Sequence, residues 1–431
     1  MSRFTADVAS ALRGPEWLRA RRVAAAERFA ALSLPSESEE IWRYSRISEL
    51  DLDAYVPADP AAPAGGGDGT SVLAPVESAI ALAGERAALA VVHNGRLVHV
   101  EVDAGLAARG LVVADVAGLD GGADLLGSTL GGGDGPDAFG ELNAAFLEGA
   151  VAVRVPPGLD VDRPVLVFHW IDADGLGVFP RTLVDAGPDS GVTVLEHLGS
   201  PDVAAFVDPV VEVRAAQAAR VRYVNVEDLG PRVWQVAHQL SDVGRDATLH
   251  SSVVALGGYY ARVRTDSRIS GQGGTAELTA VYFADGDRMH DFRTLQDHAA
   301  PSSTSDLLFK GAVQDRGRSV YSGLIRVRKE ARGTNAFQTN RNLVLTEGAE
   351  ASSVPNLEID TNDVRCSHAS AVGPIDEDQR YYLETRGIPP AVVERLIVLG
   401  FFGEVLDRLP TPSLVGPLRS TLAGRLATGR P

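Results

Sequence analysis

The sequence predicts a mainly β chain, a long β-solenoid core between helical segments at both ends. Three observations carry that prediction. Short β-rich runs, among them VAVRV, PVLVFHW, GVTVLEHL, ARVRYVNV and AELTAVYF, dominate residues 151–370, separated by glycine or polar turns. The runs recur: Val192, Val221, Leu249 and Leu278 each open one, at intervals of 29, 28 and 29 residues. The flanks, 1–56 and 371–431, instead have helical composition.

A fixed period of this size indicates a repeat architecture whose units cannot bury their apolar face alone. No helical pattern lies between the runs, which disfavours leucine-rich, ankyrin and βαβ folds. Stacked β coils that share one core fit better. A β-sandwich is the structural alternative, but its strands would come every 8–12 residues with less periodic corners. Later runs start near Val320 and Val354, at longer intervals.

In chain order, Thr5 to Leu32 is rich in Ala, Leu, Arg and Glu, with Gly14-Pro15 as an interruption. In the stretch that follows, LPSESEEIWRYSRISELDLDAY, Ser36, Ser38 and the glutamates resemble a helix start, and Trp42 and Tyr44 are large anchors with polar handles. Residues 57–70, PADPAAPAGGGDGT, read as a linker. An α/β lead-in occupies 71–150. In it, Ala88 to Val92 and Arg96 to Val100 flank an Asn94-Gly95 hairpin signal. The lead-in also holds a second flexible stretch, GGGDGPD at 131–137, and a helix in FGELNAAFLEGA. After the solenoid, EDQRYYLETRG ends in Gly387, a suitable C-cap. IPPAVVERLIVLGFFGEVLDRL is amphipathic, and its stripe suits either a core contact or a partner surface.

Composition excludes several functions. The formal net charge is −17, opposed to the basic face that nucleic-acid binding requires. Only Lys310 and Lys329 are lysines. The N-terminus has no continuous apolar stretch of the secretory kind, and no segment has 18 uninterrupted apolar residues, so the expected compartment is the cytoplasm, away from membranes. A single cysteine rules out an intramolecular disulfide and any zinc site built from several cysteines of this chain. There is no GxxxxGK[ST] phosphate loop, GxSxG elbow, HExxH or dinucleotide fingerprint.

The densest chemical cluster is ASSVPNLEIDTNDVRCSHASAVG. Cys366 and His368 are two apart and on a strand would share one face. Thiolate and imidazole together suit iron or zinc, but two ligands are too few for a stable site. Glu358, Asp360 and Asp363 are nearby. The same pair also fits a small buried thiol beside a satisfied histidine. A second cluster, RMHDFRTLQDHAAPSS, offers His290, Asp291, Thr294 and His298, and reads better as an ordered loop packed across the solenoid than as a metal site.

Four stretches, taken in order, resemble the SufB/SufD family of the SUF iron–sulfur cluster assembly machinery, over residues 35–410. They are LPSESEEIWRYS, FGELNAAFLEGAVAVRVPPGL, MHDFRTLQDHAAPSSTSDLLFKGAVQDRGRSVYSGLIRV and, most strongly, TNRNLVLTEGAEASSVPNLEIDTNDVRCSHASAVGPIDEDQRYYLETRGI. The SufD branch is the nearer: R-C-S-H-A-S differs from a SufB-like E-H-E-A-T element, and a SufB needs a second cysteine to receive sulfur.

The resemblance implies a right-handed parallel β-helix and a non-catalytic scaffold. It implies pairing with a SufB-like paralogue, with a homodimer when the chain is alone. A SufC-like ABC ATPase would dock on the C-terminal helices, at Tyr382, Leu396, Phe401, Phe402 and Val405. It places His368, with Cys366 beside it, at a transient iron or iron–sulfur cluster on the SufB interface, and no cofactor on this chain alone. Other readings are a SufB-like paralogue, a purely structural subunit with Cys366 and His368 inert, or a β-helix enzyme acting on polysaccharide through paired carboxylates.

Overall fold

The structure, a computed structural model, describes residues 3–58, 73–127 and 137–428. The expected linker at 57–70 and the glycine stretch at 131–137 lie outside the described residues except at their ends. From Val151 to Gly373 the chain winds as a parallel β-solenoid of about eight turns. Each turn gives one strand to each of two sheets. The first sheet runs from Val151–Val155 to Glu350–Ile359, the second from Val165–Trp170 to Val364–Gly373.

The repeat in the sequence is the stacking register. Val192 pairs with Val221, and Val221 with Leu249. The next partner in that column is Ala276, not Leu278, which pairs with Ser251. The register is continuous there; Leu278 lies two residues past the column position along its strand and so shares the same face. Val320 and Val354 belong to the opposite sheet, where Val320 pairs with Ser352 and Val354 with Ser322.

The corners explain the small and polar residues between runs. Gly158, Asp189, Ala218, Asp246, Gly273, Ser302 and Gly333 all have positive φ, between 54° and 74°. Each donates its N–H to a carbonyl of the next turn's corner: Asp189 to Gln217, Ala218 to Arg245, Asp246 to Gln272, Ser302 to Arg332. Only Gly, Asp, Asn or a small side chain tolerates that backbone at low cost.

The ends of the stack differ. At the start, the antiparallel hairpin Ala88–His93 and Arg96–Val102 extends the second sheet, with Asn94 and Gly95 both at positive φ in its turn, and Val112–Asp115 extends the first. At the finish, Glu350–Ile359 and Val364–Gly373 are edge strands. Helices cover the outer faces. Glu16–Ala31 and Ala138–Phe146 accompany an N-terminal arm over the first sheet, where Trp42, Phe139, Phe206 and Tyr260 share a core. Leu73–Ala83, Pro390–Leu406 and Val415–Thr428 cover the second. Where Ser36, Ser38 and the glutamates resemble a helix start, the chain makes only a 3-10 turn, Glu40–Trp42.

Candidate functional site

Cys366 and His368 lie on the last strand of the second sheet. Their register partners one turn below are Ala336 and Gln338, both fully buried inside the solenoid. Both candidates therefore occupy interior positions of a turn with nothing stacked above it. Cys366 keeps partial cover from Ile325, Val327, Ala331 and Ala336, whereas His368 is exposed. Half-burial pushes the Cys366 thiol up, although it also accepts from backbone Ala336, so the protonated thiol dominates at neutral pH. Among the described residues no group of three or more His, Cys, Asp or Glu converges as a metal cage. Of the neighbouring carboxylates, Glu358 faces outward and pairs with Arg326 at 3.1 Å.

The surroundings of the pair are apolar and uncovered. Leu357 and Ile359, in the interior columns of Ile325 and Val327, are 37% and 40% exposed, and Val372 is 44% exposed. Two ten-residue edge strands thus offer unpaired backbone donors and acceptors beside exposed apolar side chains.

Beneath the last turn the solenoid interior carries buried polar groups, as it does in lower turns, which sequence reasoning missed. Gln338 Oε1 accepts from Tyr321 OH at 3.1 Å, and Tyr321 OH lies 3.2 Å from Thr294 Oγ1. Gln338 Nε2 donates to the Asn356 carbonyl, tying the two sheets together. Tyr282 OH bonds Asn342 and Asn340. The column beneath His368 runs Val194, Tyr223, Ser251, Leu278, Leu307 and Gln338, polar and apolar members mixed, and only the register would have revealed the polar ones.

The second cluster is a strand, Met289–His298, rather than a loop. His290, Thr294 and His298 point inward. His298 bonds Ser303 and Ser305 at 2.8 Å, and His290 bonds the Phe283 carbonyl. Burial holds both histidines down at about 4, hence neutral. Asp291 points outward and is fully buried as a hub. It accepts from Arg262 at 2.7 Å, Arg293 at 2.6 Å and Tyr260 at 2.7 Å. The two arginines then reach the N-terminal arm, Arg262 at the Ile41 carbonyl and Arg293 at the Arg43 carbonyl, and Arg262 stacks on Trp42 at 3.7 Å. The His-Asp element is a latch that clamps the W-R-Y element to the solenoid.

The five candidate docking residues divide. Tyr382 and Leu396 are exposed, as is Tyr381. Phe402 and Val405 are buried against the second sheet, and Phe401 is partly buried, its carbonyl bonded by Lys310, whose ammonium also pairs with Glu404. These three residues hold the helix to the solenoid. The periodic stripe did not distinguish that face from the free one.

No helix among the described residues is long and apolar enough to cross a membrane. The family model for the SufBD core domain, described as SUF system FeS cluster assembly, matches residues 169–401. An iron–sulfur cluster assembly SufBD family protein of Mycobacterium tuberculosis is 41% identical over 64% of this chain and 70% of its own. The iron–sulfur cluster assembly protein SufD of Escherichia coli is 28% identical over 68% of this chain and 70% of its own. That of Bacillus subtilis is 29% identical over 65% of each. The solenoid, the latch and the single-cysteine last turn are therefore those of a chain that belongs to the SufBD family of the SUF iron–sulfur cluster assembly system.

Proposed function

We propose that this chain is the SufD-type scaffold subunit, that it pairs end to end with a SufB-like paralogue through its uncovered last turn, and that it contributes His368 to a cluster assembled at that junction. The observation that carries this reading is the last turn itself. Cys366 and His368 stand at interior positions that lack a covering turn, framed by Leu357, Ile359 and Val372. A second solenoid stacked there would bury the apolar rim, pair the open edges and complete an otherwise deficient ligand set.

In this reading the iron or iron–sulfur cluster is cargo, held transiently between two chains. His368 is the donor because imidazole nitrogen suits iron and the side chain is exposed. Cys366, protonated and half-covered, is the lesser one. A SufC-like ABC ATPase docks on the C-terminal helices through Tyr382 and Leu396, and its nucleotide cycle acts on the paired scaffold through helices anchored by Phe402 and Val405. The chain itself turns over no substrate, works in the cytoplasm, and in isolation uses the same open edges to form a homodimer.

The test is cluster formation on the complex purified with its two partners, comparing wild type with His368→Ala. Reduced cluster yield with unchanged complex stoichiometry is expected. Unchanged yield would remove His368 from the site.

A further inference from the structure

The two edge strands of the last turn are not equivalent as pairing surfaces. Along a strand, successive residues turn their backbone N–H and C=O groups to opposite sides. In the first sheet, Glu350 N donates to the Gly317 carbonyl of the turn below, and Asp360 N to that of Val327. The register between Arg318–Val327 and Glu350–Ile359 is unbroken, so the even-numbered residues of the last strand face downward. Ala351, Ser353, Pro355, Leu357 and Ile359 face the open edge. In the second sheet, Asn335 N donates to the Ser303 carbonyl below it, which turns the backbone of Ala336 and Gln338 upward. Through their unbroken register these two engage Arg365, Ser367 and Ala369. Cys366, His368, Ser370 and Val372 are left facing the open edge.

Pro355 interrupts the first of these edges at its middle. It has no N–H, and its ring fills the place where that donor would point. A strand added across it would bury a carbonyl without a donor and meet the ring at hydrogen-bonding distance. No proline interrupts the second edge, Val364–Gly373, so each outward residue there offers both a donor and an acceptor. The two halves of the first edge also differ. Beyond Pro355 stand the exposed Leu357 and Ile359, whereas Ala351 and Ser353 before it offer little apolar surface to bury.

We propose that Pro355 decides where a partner strand adds to the last turn. The second-sheet edge takes an extended strand along its whole length, over Cys366 and His368. The first-sheet edge takes one only beyond Pro355, at Leu357 and Ile359. The occupant is the end of a second solenoid, which rests on the end-to-end reading above. Two edges on one turn, with the apolar Leu357, Ile359 and Val372 between them, match another two-sheet end rather than a lone peptide strand. Pro355 is then a positioning residue of the junction. It excludes every register in which a strand spans the full first edge, and so denies that edge to unspecific strand addition.

The test uses the full chain with one backbone donor removed or restored at a time. Ser370→Pro and Ser353→Pro each delete an edge donor that the chain itself leaves unused, so neither lowers the unfolding midpoint. Against the purified SufB-like paralogue, Ser370→Pro weakens binding at least about tenfold, the effect of one lost hydrogen bond and the carbonyl it strands. Ser353→Pro binds as wild type does. Pro355→Ala restores the missing donor, and sedimentation of the chain alone then shows self-association tightened by roughly tenfold. Ser370→Pro weakens that self-association. A lowered midpoint in either proline variant would overturn the assigned strand polarity. Equal effects of Ser353→Pro and Ser370→Pro, or unchanged self-association in Pro355→Ala, would overturn the role of Pro355. If wild type does not bind the paralogue, the end-to-end reading fails by itself, and sedimentation of the three variants still decides the edge assignment.

Discussion

Gln338 and His368 are register partners on successive turns, yet the first is sealed inside the solenoid and the second stands in the open. The difference is one missing turn. Gln338 holds Tyr321 and the Asn356 carbonyl, while His368 sits in the same column with no turn above it. Substitutions at the two positions should separate stability from function. Gln338→Ala leaves buried partners unpaired and is expected to cost roughly 1–3 kcal/mol. His368→Ala is expected to stay within about 0.5 kcal/mol of wild type. Urea midpoints of the two variants check this.

The Asp291 latch makes a stronger stability prediction. Asp291→Asn leaves Arg262 and Arg293 buried beside a neutral partner, and both hold the arm. Removing one member of a buried ionic cluster costs roughly 3–5 kcal/mol. The expected result is that loss in chemical denaturation, together with new protease cleavage between residues 33 and 46 while the solenoid remains intact. Unchanged resistance of the arm would show that the latch does not hold it.

His298 gives a signed pH prediction. Burial lowers it to about 4 in the folded chain, against an ordinary value of 6.5 in the unfolded one. Below 6.5 the unfolded chain takes up a proton that the folded chain refuses. The associated stability is therefore fully present above pH 6.5 and is lost as pH falls toward 4. His298→Gln lacks this linkage. Its destabilisation relative to wild type should be smaller at pH 4.5 than at pH 7.5 by roughly 2 kcal/mol. Referring variant to wild type cancels groups of opposite sign, such as Glu227, which burial raises to about 7. A pH-independent difference would contradict the assignment.

The C-terminal helix should show two faces. Phe402→Ala empties a buried site against the second sheet and is expected to cost roughly 3–5 kcal/mol. Tyr382→Ala and Leu396→Ala, at exposed positions, should change stability by less than about 1 kcal/mol while weakening capture of the SufC-like ATPase. Thermal melts and pull-downs of the three variants separate anchoring from docking.

The solenoid was legible because stacking imposes a period, and corner residues at positive φ mark it. That Ala276 and not Leu278 continues the column was not, since residues two apart on a strand share a face and the apolar pattern fits either. Cys366 and His368 were readable as sharing one face, because strand geometry alone fixes that. Their position at an uncovered end depends on which turn is last. Asp291 was read with its neighbours as part of a loop because strand pairing across turns, which turns His290 inward and Asp291 outward, has no local signature. Phe402 and Val405 could not be told apart from docking residues, because periodicity gives a stripe that suits core or partner without saying what covers it.

The measurement that bears most directly on the central claim is amide hydrogen exchange of this chain, alone and in complex with its SufB-like paralogue. The account predicts strong new protection in the edge strands Glu350–Ile359 and Val364–Gly373, with little change in the hairpin Ala88–Val102 at the opposite end. Protection confined to the outer helices or to that opposite end, with the last turn still exchanging freely, would contradict it.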